Sequence, residues 1–569
     1  MDNIRFVLIV ALAMISIMLW QAWQLDYGPK PPIVATSESN LTNSNAELPA
    51  QDQASTEQNN QAVPVIEKAK SKTINVKTDV YNLEIDTQGG SLVNLDLTVY
   101  PVDKKNTSVD SVRNTFGFGA SEKDLAPIRL FDSNIEKLFL AQSGLIPSTD
   151  ADAIANHHSI FSVGQNEFDL PAGQNTLSVP LSWTNNQGLT VEKIYTFTRG
   201  SYVIKLEQKI INNSDKNWSG RQYTQLLRIP YADPSGNSFI RTYAGGVVYT
   251  EEDKYKKIQY SDMADNLNVS THGGWSAMIQ HYFASAWIPP VDQENSFYSK
   301  ALEDNKFVLG SYSPVVNVAP KTELALQATL YAGPKIQPVL ESVAKGLELT
   351  VDYGWLTIIA KPIYSLLNFI HSFIGNWGFS ILGVTFVIKL LFFPLSASSY
   401  KSMAKMRKIQ PRLKEMQERY ADNRQLFNQK MMAMYKEEKV NPLGGCLPIL
   451  VQIPVFISLY WVLIETVELR QAPFALWIQD LSSQDPYYLL PILYGITMKI
   501  QQGLNPPPID PIQAKVMKMF PIVFTFFFLF FPAGLVLYWI MNNTLSIMQQ
   551  WYITKHIVGE DHHHSHHSA

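Results

Sequence analysis

Residues 383–395 read GVTFVIKLLFFPL, an apolar run with one cation, Lys389, and no acidic residue beside it. A charge near the centre of a bilayer costs about 2.5–3.5 kcal/mol on insertion scales, so a lysine there normally faces water or a partner. Two readings of Lys389 stand. Either its ammonium serves a hydrated cavity, or its four-carbon stem snorkels past Pro394 to the headgroups. Thr385 shares its face at helical spacing, four residues earlier.

Working outward from this run, similar segments fill residues 379–395, 447–464, 487–502, 516–531 and 534–553. Several are shorter than the roughly 20 residues needed to cross about 30 Å of hydrocarbon. They also carry Gln452, Thr497, Lys499, Gln501, Gln502, Asn542, Asn543 and Gln549. Short, partly polar helices thin the bilayer or line a cavity that admits water. Tyr538, Asn542, Ser546 and Gln549 form a second polar stripe, and Thr497 and Gln501 a third pair. The plainer reading is hydrogen bonding between packed helices. No Asp or Glu lies inside these runs, which argues against a proton relay.

Across all 569 residues the net charge is −4 and the hydrophobic share 46%, but the apolar runs crowd into the first 25 residues and the region beyond Trp355. Residues 6–23 form another apolar stretch. It ends in Leu19, Trp20 and Trp23 without a small-residue cleavage site, so an uncleaved anchor fits better than a removed signal peptide. Residues 35–62, rich in Ser, Asn, Gln and Thr, cannot bury enough surface to stay folded and read as a tether. From 73 to about 337 the period changes to that of strands. Val191 to Thr198 and Tyr202 to Asn212 alternate around Arg199-Gly200-Ser201, a hairpin signal, and the region predicts a large all-β sandwich. Trp355, Ile358, Ile359, Ile363, Leu366, Leu367 and Ile370 recur at helical spacing among polar residues, which suits a helix lying in the interface.

Loop charge gives the orientation. Residues 396–441 hold eleven Lys/Arg against five Asp/Glu, a balance of +6, whereas 465–485 hold only Arg470. Positive loops stay inside, so 396–441 and both termini are expected to be cytoplasmic and the β domain outside. Within 396–441, Met403, Met406, Ile409, Leu413, Met416 and Tyr420, then Phe427, Met431 and Met434, predict a helical hairpin with a Met-rich seam. Its basic face includes Lys401, Lys405, Arg407, Lys408, Arg412 and Arg424, suited to RNA or anionic lipid. Cys446 is the one cysteine, which rules out an internal disulfide. There is no phosphate-binding loop, nucleophile elbow or zinc-helix motif. The five histidines at 562–564 and 566–567 receive no role.

Several longer strings resemble a known family. These are Gly375-Asn376-Trp377-Gly378-Phe379-Ser380, Asn441-Pro442-Leu443-Gly444-Gly445-Cys446, Val467-Glu468-Leu469-Arg470-Gln471-Ala472-Pro473-Phe474, Asp485-Pro486-Tyr487-Tyr488 and Phe531-Pro532-Ala533-Gly534-Leu535-Val536-Leu537-Tyr538. They look like the YidC membrane protein insertases of the Oxa-type superfamily. The resemblance implies a five-helix core with a hydrophilic groove open to cytoplasm and lipid but closed outside. It also implies a mutarotase-like β-sandwich without enzymatic role, and no metal, ATP or other cofactor. The partners it implies are nascent membrane proteins, the Sec translocon, the ribosome and the bilayer itself. Lys389 falls where the family usually has arginine. Lysine lacks the bidentate fork, so simple attraction for an acidic tail survives and any fork-dependent step does not. Thr385, Gln502, Trp539, Asn542 and Tyr538 are the remaining groove candidates.

The resulting expectation is a helical membrane bundle of six transmembrane helices plus a periplasmic all-β sandwich, in a bacterial inner membrane. Its parts are an anchor (1–26), a linker (27–72), the sandwich (73–340), a linker with interfacial helix (341–372), an insertase core (373–555) with its hairpin (396–441), and a tail (556–569). A small-solute transporter and a membrane-anchored carbohydrate-active protein are the alternatives.

Overall fold

The computed structural model describes residues 71–103, 125–148, 155–230, 242–265, 267–420, 423–438, 447–505 and 511–557. The expected anchor, almost all of the tether, Cys446 and the histidine tract lie outside the described residues. The chain divides into two compact units, one ending at Val351 and the other running on from Asp352.

In the first unit the strand period becomes a core. Along strand Leu189–Thr198 buried and half-exposed residues alternate, which turns Val191, Tyr195 and Phe197 inward. The strand pairs antiparallel with Val203–Asn212 through the expected hairpin, where Gly200 adopts φ 70° at the turn, a backbone angle open to glycine without steric cost. Among the described residues these strands belong to an eight-stranded sheet, and a second sheet has eleven. Side chains tie the two faces together. Gln222 Nε2 donates to Gln208 Oε1 at 3.0 Å, and Trp287 Nε1 to the Gln225 carbonyl at 3.1 Å. The expected all-β sandwich is therefore present, and a short helix, α1 (Gln337–Val343), follows its last strand.

One core position breaks the apolar pattern. Lys193 occupies an inward site of the same alternating strand and is fully buried. Its Nζ donates to the Gly89 carbonyl at 2.5 Å and the Ser143 carbonyl at 2.9 Å. It also lies 5.0 Å from the centre of the Phe161 ring.

The second unit is helical. It contains α2 (Thr357–Ile374), α3 (Trp377–Leu391), α4 (Phe393–Arg419), α5 (Arg424–Glu437), α6 (Leu447–Glu465), α7 (Leu489–Leu504), α8 (Pro511–Phe528) and α9 (Ala533–Tyr552). Helix α9 packs against α3 and α7, α2 packs against α3 and α6, and α7 packs against α8. A Cβ on Gly495 would meet Thr525 Oγ1 at 2.0 Å, so the glycine makes room for the Thr525 side chain of α8 against α7, a small-residue contact common between membrane helices.

The boundaries correct the sequence reading at one place. The run over 379–395 is not one helix, because α3 stops at Leu391 and α4 begins at Phe393 after a bend of 67°. Pro394 lacks an N–H and suits a helix's first turn, where no backbone bond is lost, and it stands second in the new helix α4. At 15 residues, α3 is about 23 Å long at 1.5 Å per residue, short of the hydrocarbon thickness. Among the described residues, one helical stretch, Gly354–Ile374, is long and apolar enough to cross a membrane by length and composition. This is the segment read above as interfacial. It buries Ala360, Ile363, Tyr364 and Leu367 while Trp355, Ile358, Phe369 and Phe373 stay exposed.

Candidate functional site

Helices α3, α4, α6, α7 and α9 converge on a cavity of about 250 Å³. Lys389 is its one charged lining residue among those described, 6% exposed. The ammonium has not snorkelled away: its Nζ donates to Ser546 Oγ at 2.7 Å, and Ser546 Oγ in turn donates to the Asn542 carbonyl at 2.7 Å. Gln549 Nε2 reaches the Lys389 carbonyl at 3.3 Å. The stripe on α9 and the cation on α3 therefore meet, as helical spacing on two separate helices allowed.

The rest of the wall mixes polar, aromatic and aliphatic side chains. Ser396, Ser399, Gln452, Gln501, Asn505, Asn542 and Ser546 supply hydroxyls and amides, beside Tyr538, Trp539 and Phe456. Trp539 lies 4.2 Å from Phe456 and 5.5 Å from Phe528 between ring centres. Such a surface offers hydrogen bonds to a passing polar flank and broad apolar contact to a passing hydrophobic one.

Of the six groove candidates from the sequence, Lys389, Tyr538, Trp539 and Asn542 line this cavity, and Thr385 and Gln502 do not. Thr385 is buried and its hydroxyl bonds back to the Ile381 carbonyl of its own helix at 2.6 Å, a common use of threonine in a helix. Gln502 turns its amide to the Met517 carbonyl and ties α7 to α8. Its neighbour Gln501 takes the cavity position. Ser396 and Ser399 were missed, since both lie beyond the bend at Phe392, where the apolar run was expected to pass into the hairpin.

At the opposite end of the bundle the 466–488 segment is bonded to the starts of α9 and α3. Ala533 N donates to the Ser483 carbonyl at 2.7 Å, Gly534 N to the Leu481 carbonyl at 2.9 Å, and Asn376 Nδ2 to the Phe474 carbonyl at 2.9 Å. Asp485 organises the entry to α7. Its buried carboxylate accepts from Trp477 Nε1 at 2.9 Å, Tyr487 N at 3.0 Å and Leu490 N at 2.7 Å. Removing it strands three donors at roughly 1–3 kcal/mol each, less what solvent recovers. Asp485→Ala is expected to cost about 3 kcal/mol, read as a lower melting temperature of the helical unit. An unchanged transition would show that the segment does not depend on this carboxylate.

The hairpin follows its predicted seam. Ile409, Leu413, Met434 and Tyr435 are buried together, with Met406, Met416 and Met431 packed against them. Lys401, Lys405, Arg407 and Lys408 are exposed, and Arg412 Nη1 pairs with Glu438 Oε1 at 2.8 Å. The Arg424 side chain lies outside the described residues. Met403, expected in the seam, lines the cavity instead. Among the described residues no cluster of three metal-ligating side chains occurs.

Comparison with known proteins gives two family models. The model for the 60Kd inner membrane protein matches residues 369–560, and that for the YidC periplasmic domain matches 117–366. A Methylococcus capsulatus protein named membrane protein insertase YidC is 54% identical over 561 residues, covering 98% of this chain and 99% of its own. A Methylobacillus flagellatus protein of the same name is 47% identical, covering 98% and 97%. A solved structure described as an active YidC insertase with its first transmembrane domain resolved aligns at 15% identity and TM-score 0.37, covering 86% and 93%.

Proposed function

The chain belongs to the YidC family of membrane protein insertases, and from that premise we propose that the Lys389 cavity is the groove through which it passes the polar flank of an incoming segment. The observation that carries this is a buried amine bonded to Ser546 on the wall of a 250 Å³ polar and aromatic cavity. A polar flank crossing there meets hydroxyls, amides and one positive charge in place of hydrocarbon, and the short α3 reduces the distance to be crossed. An acidic tail gains most, because a carboxylate beside the ammonium retains a partner.

The bundle sits with its basic hairpin inside, both termini cytoplasmic and the β unit outside, in keeping with the loop charges. Six crossings make up the topology: the anchor near the start, then α3, α6, α7, α8 and α9, with α2 lying in the interface. The ribosome and the Sec translocon are the partners this reading adds to nascent membrane proteins. It gives the β unit no catalytic role.

Photo-crosslinking tests the groove assignment. A photoreactive residue at Trp539 or Asn542 is expected to capture a short nascent membrane protein, and one at Thr385, packed off the cavity, is not. Normal insertion without adducts at Trp539 and Asn542 would overturn the assignment.

A further inference from the structure

A second cavity, of about 200 Å³, lies between α4, the end of α7 and the end of α9. Tyr400, Met403, Ala404 and Arg407 line it from one face of α4, with Leu504, Gln550, Trp551, Thr554 and Lys555 opposite. Two of these side chains are cations and none is an acid. Among the described residues neither Arg407 nor Lys555 has a carboxylate partner. Lys555 instead lies 5.0 Å from the centre of the Trp551 ring. The backbone here leaves the α-helical ladder for a π-helical turn, Ile553–Ile557, a distortion common at functional sites.

Gln550 supplies a second, independent observation. It is 4% exposed, and its Nε2 donates to the Leu504 carbonyl and to Asn505 Oδ1, both at 3.2 Å. The Leu504 carbonyl needs a donor, which fixes the amide's orientation. Among the described residues, Gln550 Oε1 is then a buried acceptor with no donor, a costly state. The surroundings indicate depth in the membrane. Met548, Trp551 and Tyr552 are half exposed or more on the same end of α9, and exposed Trp and Tyr at a helix end mark the headgroup level.

We propose that this cavity binds the headgroup of an anionic, hydroxylated glycerophospholipid of the phosphatidylglycerol type. The phosphodiester sits between Arg407 and Lys555, and a headgroup hydroxyl supplies the donor that Gln550 lacks. Basic pockets between helices at the cytoplasmic surface suit such headgroups, and two cations facing one phosphate favour an anionic lipid over a zwitterionic one. Tyr400 and Met403 line both cavities, so the bound headgroup braces the wall that the groove shares. The proposal rests on the membrane reading of α9 but not on the groove assignment.

Native mass spectrometry of the full chain in detergent tests it, with phosphatidylglycerol, phosphatidylethanolamine and phosphatidylcholine of identical acyl chains at equal concentration. The expected order of retention is phosphatidylglycerol, which has charge and donor, then phosphatidylethanolamine, with a donor only, then phosphatidylcholine. Arg407→Gln or Lys555→Gln is expected to lower phosphatidylglycerol retention about fivefold, and both together about thirtyfold. Both side chains are exposed, so the variants should melt as the parent does. The proposal fails if the double variant retains as much phosphatidylglycerol as the parent, or if phosphatidylethanolamine is held equally well. It fails too if excess inorganic phosphate displaces the lipid, which would make the ligand a free anion. Retention seen only after residues 558–569 are deleted would name the chain's own acidic end as occupant and also overturn it. Failed crosslinking at Trp539 leaves these outcomes readable.

Discussion

Lys389→Glu is expected to reduce insertion of a short membrane protein with an acidic translocated tail by about a hundredfold. A carboxylate deprived of its counter-charge meets the full penalty for charge in the bilayer, about 2.5–3.5 kcal/mol, and each 1.4 kcal/mol is tenfold. The new glutamate adds repulsion to that loss. Lys389→Arg should retain most of the activity, since the mechanism uses charge and not the geometry of a fork. Protease protection of the tail in proteoliposomes reads the result. The same substrate with Asn and Gln in place of its acids should lose much less. Equal insertion by Lys389→Glu and the parent would show that the ammonium bonded to Ser546 is a packing feature and not part of the path.

The second large effect belongs to the β unit and to pH. Burial pushes the Lys193 ammonium down from its usual value near 10.5 to about 7. Between those values the unfolded chain holds a proton that the folded domain has released, so stability rises with pH across the window and is lost as pH falls toward 7. The two carbonyl acceptors at Gly89 and Ser143 match the two N–H bonds of a neutral amine. From pH 7 to 9 the gain is on the order of 2–3 kcal/mol. Tyr195, on the same strand, donates to the Gly90 carbonyl, and burial pushes its phenol up. Its ionisation in the unfolded chain therefore opposes the trend only above about pH 10. Hydrogen exchange at the amides of strands Leu189–Thr198 and Val203–Asn212, corrected for the intrinsic rate, should show protection growing across this range. Lys193→Met should flatten the slope. A slope that persists in that variant would assign the effect elsewhere.

Lys389 and Lys193 were not equally legible in the sequence. Lys389 stood out because its neighbours are apolar on both sides, and a cation there is costly wherever it points. Where it points was not decided, since that depends on α9 bringing Ser546 alongside, a contact across 157 residues. Lys193 was invisible. In an alternating strand a lysine at one inward position reads as an ordinary polar residue, and its burial depends on the Gly89 and Ser143 carbonyls across the sandwich. Periodicity found the helices, with ends off by up to five residues where α8 starts at Pro511 and not at 516, and it missed the break where Pro394 divides an apolar run that no hydropathy pattern interrupts. Thr385 and Gln502 were drawn toward the groove by their polarity alone. A hydroxyl can be satisfied by its own helix and an amide by the next one, so polarity within a span marks a need for partners without saying which. The 466–488 segment was visible as motif strings, but not that Asp485 holds Trp477 and the first turn of α7 together.

The absence of any acid among the described lining residues has a consequence for sorting. A flank bearing lysines would find like charge ahead of it and no counter-ion on the wall, so it should stay on the side where it was synthesised while acidic flanks go across. One amine would thus act as a discriminator of topology, biasing which end of a newly made helix is exported by electrostatics alone.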